Sequence, residues 1–248
     1  MQKNYKRLNL LITGGAGYLG SKITTNFVMK GHQVTVIDKL DFNKSSLNHL
    51  FCFKNFTLIK DDVRKKKLLK KILKQKDFIF PLAGIVGAPL CDLRKKDALE
   101  VNQKNIEFII DNIKKDQKII YPTTNSGYGI GEKTKFCDET TPLNPISLYG
   151  RTKVEAEKII LQHDNSISLR LATVFGYSYR MRTDLLVNNF VETAIKKKKL
   201  DIFEPNFRRN YIHVEDVVNA FNFAVQNFHK MKGKIYNIGL SSANLTKL

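Results

Sequence analysis

The alternation of short apolar runs with longer amphipathic ones predicts an α/β fold, a Rossmann-type doubly wound parallel sheet, and three observations carry that reading. Runs rich in β-branched and aromatic residues are followed by lysine-rich stretches of helical periodicity, the pattern of βαβ units. The first apolar run leads directly into Gly14-Gly15-Ala16-Gly17-Tyr18-Leu19-Gly20, and a glycine turn between a strand and a helix is far more specific than the same glycines elsewhere. An aspartate, Asp38, closes the second run, where this class of sheet carries an acidic residue.

Taken in order, strands are predicted at Leu8 to Thr13, Val34 to Asp38, Thr57 to Lys60, Phe78 to Pro81, Ile119 to Pro122 and Ile167 to Leu171. Helices are read near Tyr18 to Lys30, Val63 to Lys74, Ala98 to Lys115 and Leu148 to Leu161. Ligands of such a sheet sit at the carboxyl ends of its strands, and the residues singled out below fall there. After Leu171 the alternation loosens into a loop from Ala172 to Thr183, a helix from Asp184 to Lys199, a short strand and the segment Phe207 to Val218. The expected division is a dinucleotide-binding domain over residues 1–172 and a mixed segment over 173–248, part of it returning to the core. Residues Ser241 to Leu248 read as a helix start with a capping serine or asparagine and no body to follow.

A chain of 248 residues that is 42% hydrophobic can bury a large core. It holds no stretch near the ~18 uninterrupted apolar residues of a membrane span. The polar start from Met1 to Arg7 shows no export signal. Cys52, Cys91 and Cys137 are widely spaced without a CxxC pair, so no metal is expected and the thiols read as reduced, in a cytoplasmic setting. The net charge of +19 comes mostly from lysines spread over several helical faces, with no interleaved aromatics. That distribution argues against nucleic acid as a partner and leaves a positive field that attracts an anionic substrate.

Glycines at Gly14, Gly17 and Gly20 permit a tight turn and let backbone amides near Tyr18 and Leu19 approach a pyrophosphate at a helix N-terminus. Asp38 is placed to accept hydrogen bonds from ribose hydroxyls and to repel a 2′-phosphate, which favours NAD over NADP. Asp62, in Asp61-Asp62-Val63-Arg64, is suited either to an adenine amino group or to capping the next helix. Tyr149 and Lys153 stand one helical turn apart, so an ammonium beside the phenol would favour the phenolate and make a base for an alcohol. The spacing is common by chance; the glycine turn and Thr124 give it context.

Together these elements resemble the extended short-chain dehydrogenase/reductase family of sugar-nucleotide epimerases, dehydratases and dehydrogenases. The resemblance rests on the glycine turn, Asp38, Asp62-Val63, Leu82-Ala83, Asn102, Thr123-Thr124 with Tyr128-Gly129, Tyr149 and Lys153, and Arg209 to Val214. It implies that Tyr149 takes the proton from a sugar 4-hydroxyl while hydride leaves C4 for NAD, that Lys153 assists, and that Thr124 hydrogen-bonds the reacting oxygen. It implies cofactor contacts from Gly14, Gly17, Tyr18, Leu19, Gly20, Asp38, Asp62, Val63, Leu82, Ala83, Asn102, Tyr149 and Lys153. Family members that eliminate water carry an Asp-Glu pair after the threonine; Asn125-Ser126 stands here and disfavours dehydration.

For the substrate, the resemblance puts Arg209 on the nucleotide diphosphate, Asn189 near the nucleotide, and Asn125, Ser126, Arg180 and Arg182 near the sugar or diphosphate, while Thr173 departs from a common asparagine. His213 reads as a buried or capping histidine. More narrowly, Gly87 to Cys91, Thr124 to Lys133 and Arg180 to Asn188 are similar to the branch that oxidises GDP-D-glycero-α-D-manno-heptose at C4 in bacterial capsule biosynthesis, so a GDP-sugar is the expected substrate. A C4 epimerase and a non-catalytic NAD-sensing or RNA-binding protein are the competing readings. The family also implies a homodimer or higher homo-oligomer, and a substrate-binding region that the sequence to Leu248 leaves incomplete.

Overall fold

The computed structural model describes residues 7–42, 44–130 and 136–247. The start from Met1 to Lys6, the motif residues Gly131-Glu132-Lys133 and Leu248 lie outside the described residues.

The chain begins with β1 (Asn9–Thr13), α1 (Tyr18–Met29), β2 (Gln33–Asp38), β3 (Phe56–Lys60), α2 (Lys66–Leu73) and β4 (Phe78–Pro81). It continues through α3 (Ala88–Leu93), α4 (Lys95–Leu99), α5 (Asn105–Asn112), β5 (Lys118–Thr124), α6 (Leu148–Ile160), β6 (Ser166–Leu171) and β7 (Thr173–Phe175). The last elements are α7 (Leu186–Lys197), β8 (Arg209–His213), α8 (Val214–Gln226), α9 (Phe228–Met231), β9 (Lys234–Ile238) and β10 (Asn244–Leu245).

Seven strands form the main sheet in the order β3-β2-β1-β4-β5-β6-β9, and each pair is parallel. A parallel sheet buried on both faces needs apolar residues at consecutive positions, and Leu10, Leu11 and Ile12 of β1 meet that need. Leu10 and Ile12 pack with Phe27 of α1 and Phe221 of α8, whereas Leu11 packs with Ile109 of α5 and Ile160 of α6. Strand order reverses between β1 and β4, the switch point where such sheets open a crevice. A small second sheet, β10-β8-β7, stands beyond the end of β6.

Four expectations change. The sheet has a seventh strand, β9, which pairs with β6 from far along the chain. The helix expected from Ala98 starts earlier, at Lys95, and passes through a widened π-helical turn at Glu100–Lys104. The helix expected from Val63 begins only at Lys66, because Asp62 to Lys65 form a turn of their own. Ser241–Ala243 is a single 3-10 turn, and Asn244 and Leu245 pair antiparallel with Asn210 and Arg209 of β8, so the expected helix start is a short edge strand. His213 does cap α8: its Nδ1 accepts from the Glu215 amide at 3.3 Å.

One buried network ties α6 to the sheet. Arg170 of β6 and Glu157 of α6 are 5% and 3% exposed and meet at 2.6 Å. Ser168 also donates to Glu157 at 2.6 Å, and Arg170 donates to the Tyr128 hydroxyl, which donates to Asn237 of β9. Removing one partner of a buried pair strands the other charge, at a cost of about 3–5 kcal/mol. Glu157→Ala is therefore expected to lose about that much in urea unfolding. Glu155→Ala, which breaks the exposed pair with Lys158, should lose no more than about 0.5 kcal/mol.

Candidate active site

The glycine turn is shaped by contact with the strand across the switch point. Gly14 has φ +69, and a Cβ there would lie 2.6 Å from the backbone of Ala83. A Cβ on Gly20 would lie 2.2 Å from the Gly14 carbonyl oxygen, and on Gly17 3.1 Å from it. Ala83 is held in place by its amide donating to Thr13 Oγ1 at 3.2 Å, and the Leu82 amide donates to the Thr13 carbonyl at 3.0 Å. The helix α1 then starts at Tyr18 with its N-terminal amides opening onto this cradle. Asp38, half-buried at the end of β2, accepts from the Ala16 amide at 3.0 Å and from the Leu40 amide at 2.8 Å. Burial raises the pKa of its carboxyl, and those backbone bonds oppose the rise. Each carboxylate oxygen has acceptor capacity beyond one amide. A cradle with no room for a Cβ, beside a fixed carboxylate, fits a dinucleotide's pyrophosphate and ribose.

Asp62 and Asn102 are engaged by the protein itself. Asp62 takes a forked ion pair from Arg64, at 2.7 Å from Nη2, and the Arg64 amide donates to it at 2.8 Å. Lys65 occupies the cap position of α2, so the helix-capping expectation for Asp62 is incorrect. Arg64 also reaches Asp97 and Glu100; Asp62 above all, with these two carboxylates, raises its pKa, and Arg64 in turn holds Asp62 below the usual carboxylate range. Val63 next to it is buried. Asn102, buried in the π-helical turn, accepts from the Ile85 amide at 2.8 Å and donates to the Ile85 carbonyl at 2.9 Å and Thr152 Oγ1 at 3.3 Å. It clamps the backbone that follows Leu82 and Ala83.

Tyr149 stands in the first turn of α6, which the Ser147 hydroxyl caps by accepting from the Gly150 amide at 3.1 Å. Its ring packs in a small apolar cluster with Ile85, Cys91 and Ala98. Burial pushes the phenol up to about 12, against the charge of Arg182 and a hydrogen bond with Thr124, both of which favour the phenolate. Thr124 ends β5, and its hydroxyl also accepts from the Ser126 amide at 3.2 Å. Asn125 and Ser126 belong to the 3-10 turn Asn125–Tyr128.

The expected pairing of Lys153 with the Tyr149 phenol is corrected. Lys153 Nζ lies 3.9 Å from the centroid of the Tyr121 ring on β5, and the cation that lowers Tyr149 is Arg182. Helical spacing puts the two side chains on one face but does not fix where a four-carbon stem ends, and the ring of Tyr121 attracts an ammonium electrostatically. Burial brings Lys153 down to about 7, opposed by the charge of Glu157.

The loop from Gly176 to Asp184 folds back on α1. The Tyr18 hydroxyl donates to the Gly176 carbonyl at 2.7 Å, and the Ser178 hydroxyl donates to the Tyr18 carbonyl at 2.5 Å. Tyr179 stacks on His49 at 4.1 Å between ring centroids. Arg182 pairs with Asp184. Asn188, which sequence reasoning passed over in favour of Asn189, is the buried member of the pair and pins the loop: it accepts from the Gly176 amide at 2.9 Å and donates to the Arg182 carbonyl at 3.0 Å. Asn189 is exposed, with its amide on the Thr183 carbonyl at 3.0 Å. Arg209 is likewise exposed, its guanidinium 5.5 Å from the Phe207 ring centroid, and is not brought to Tyr149. Tyr121 was not legible as a site residue, because inside an apolar strand a tyrosine reads as core.

Among the described residues no His, Cys, Asp and Glu cluster suits a metal ion, and no helix is long and apolar enough to cross a membrane. Residues 10–239 match the model of the NAD dependent epimerase/dehydratase family. The dTDP-D-glucose 4,6-dehydratase of Dictyostelium discoideum is 27% identical over 93% of this chain and 58% of its own length. The UDP-glucuronic acid decarboxylase 1 of Xenopus tropicalis is 26% identical over 88% of this chain and 53% of its own. The chain thus spans little more than half of these relatives. Among solved structures, the dTDP-glucose 4,6-dehydratase of Bacillus anthracis in complex with NAD superposes with a TM-score of 0.80 at 25% identity, over 94% of this chain and 75% of that one.

The two shifted groups predict opposite pH effects on stability. Lys153 falls to about 7 in the folded chain, whereas an unfolded lysine titrates near ~10.4. Between those values the unfolded chain holds the extra proton, so stability rises with pH. Tyr149 rises to about 12 from ~10, so stability falls over that higher interval. The thermal midpoint is expected to increase from about pH 7 to about pH 9.5, and to increase less in Lys153→Met, when followed by circular dichroism.

Proposed function

The chain belongs to the NAD dependent epimerase/dehydratase family, and from that premise we propose that it oxidises a nucleotide-linked sugar at C4, with Tyr149 as the base. The observation that carries this reading is the convergence of Thr124, at the end of β5, and Tyr149, at the start of α6, beside the cradle of Gly14 to Gly20. NAD is the family's cofactor and, when bound, supplies the hydride acceptor. The residues that would hold it are the glycine turn, Asp38 and the backbone of Leu82 and Ala83, with Asn102 supporting that backbone from behind.

The chain's own residues have three tasks. Tyr149 removes the proton from the sugar 4-hydroxyl, and Thr124 hydrogen-bonds the same oxygen, so its lone pair is aligned with the carbon that loses hydride. A phenol near 12 is a poor base at neutral pH, so binding must lower it: Arg182 already acts in that direction. Lys153, half-buried and near 7, sits on the same face of α6 and can take or release a proton in the working range. Asn125 and Ser126 carry no acid or base, which supports redox without elimination of water.

For the substrate, the segments similar to the GDP-heptose branch favour GDP-D-glycero-α-D-manno-heptose and a role in capsule or surface polysaccharide formation. Relatives act on UDP- and dTDP-linked sugars by their names, so the base is the first variable to test. The protein is to be incubated with NAD and a panel of GDP-, UDP- and dTDP-sugars, and products identified by mass and NMR. A 4-keto product from a GDP-heptose supports the proposal; a dehydrated 4-keto-6-deoxy product contradicts the assignment from Asn125-Ser126. Tyr149→Phe is expected to lower kcat by about 10²- to 10⁴-fold while leaving NADH affinity within about twofold. Near-normal turnover in that variant would remove Tyr149 as the base.

A further inference from the structure

We propose that Arg180 is a ligand for the pyrophosphate of the bound dinucleotide, delivered across the cofactor cradle by the 176–184 loop. This rests on reading the glycine turn as that cradle. The sequence grouped Arg180 with Arg182 as a substrate contact; the two guanidiniums are close enough to repel each other but have different partners. Arg182 is engaged by Asp184 and acts on Tyr149. Arg180 lies instead on the Asp38 side, with its guanidinium carbon 4.6 Å from the centroid of Phe42, four residues beyond the end of β2.

The loop that carries it is fastened at several points to the helix that opens the cradle. Gly176 and Ser178 are held by Tyr18, the first residue of α1. Ser178 Oγ lies 2.9 Å from Ser21 Oγ, and Lys22 lies over the rings of Tyr177 and Tyr179 at 5.8 and 5.5 Å. Two residues after Ser178, Arg180 extends to Phe42 and within reach of the Asp38 charge at the end of β2.

Arg180 is also chemically distinct from its neighbours. Arg64 is engaged by Asp62, Asp97 and Glu100, Arg170 by Glu157, and Lys39 by Asp41 and Asp62. No hydrogen bond or ion pair holds the half-buried Arg180 guanidinium among the described residues; the Phe42 face is its contact. A guanidinium has five N–H donors in a planar fork that matches phosphate oxygens. Burial disfavours its charge, an expense that an anion relieves. The diphosphates at hand in this chemistry are those of the cofactor and of the sugar nucleotide. Proximity to Asp38 and α1 selects the cofactor's, and the same Asp38 carboxylate opposes a 2′-phosphate.

The test is equilibrium binding without turnover, using NADH, ADP-ribose, adenosine and GDP as probes on the parent, Arg180→Gln and Arg180→Lys. Arg180→Gln is expected to weaken NADH and ADP-ribose by about tenfold or more, with adenosine and GDP within about twofold. Arg180→Lys keeps the charge but loses the fork, and should fall between. Should Arg180→Gln fail to fold, the intermediate affinity of Arg180→Lys for NADH and ADP-ribose still decides. NADH and ADP-ribose affinities within about twofold of the parent, or a loss confined to GDP, would overturn the assignment. Failure of the parent itself to bind NADH would overturn the reading of the cradle instead.

Discussion

The constraint on which the site depends is steric, where the backbone of Gly14 meets the backbone of Ala83 at the point where strand order reverses. Neither partner has room to retreat: Gly14 is tied to β2 by its amide on the Ile37 carbonyl at 2.9 Å, and Ala83 is tied to β1 through Thr13. Because a Cβ at Gly14 would sit 2.6 Å from Ala83, the turn can run between the two strands only as glycine. That passage aims the start of α1 into the crevice, and the loop from Gly176 then rests on α1. The candidate base, in turn, faces the same crevice from α6.

Charge is arranged around that crevice unevenly. Behind α6, Glu157 and Arg170 pair in the buried interior and fasten the helix to β6, while the charge of Glu157 still reaches Lys153 one turn away. In front of it, Lys153 and Tyr149 are both pushed towards their neutral forms by burial. A site whose base and its neighbouring amine are both close to neutral has low internal repulsion before ligands arrive, and its ionisation depends on what enters.

The local chemistry of the sequence made much of this legible. Periodicity located β1, β2 and β4 almost to the residue, since each is short, apolar on both faces and bounded by turn residues. The glycine turn could be read because only one backbone geometry uses those glycines. What escaped was non-local. β9 pairs with β6 across more than sixty residues of intervening chain, and nothing in Lys234 to Ile238 says so. Asn188 and Asn189 are chemically identical, and only the approach of Gly176 decides which is buried. The fate of Lys153 depended on Tyr121, a residue on another element whose ring outcompetes the expected phenol.

The network through Tyr128 gives the last strand a reach beyond its own edge. Asn237 of β9 accepts from the Tyr128 hydroxyl at 2.7 Å, and its amide donates to Glu139 at 2.6 Å, while Tyr128 accepts from the arginine paired with α6. Strand β9 is thus joined by side chains to the helix of the candidate base, a link that couples the opening of one to the other. Amide protons of β9 and of α6 should exchange with solvent at a common rate. Fraying of the sheet's edge would then be felt at the catalytic helix as a loss of its rear support.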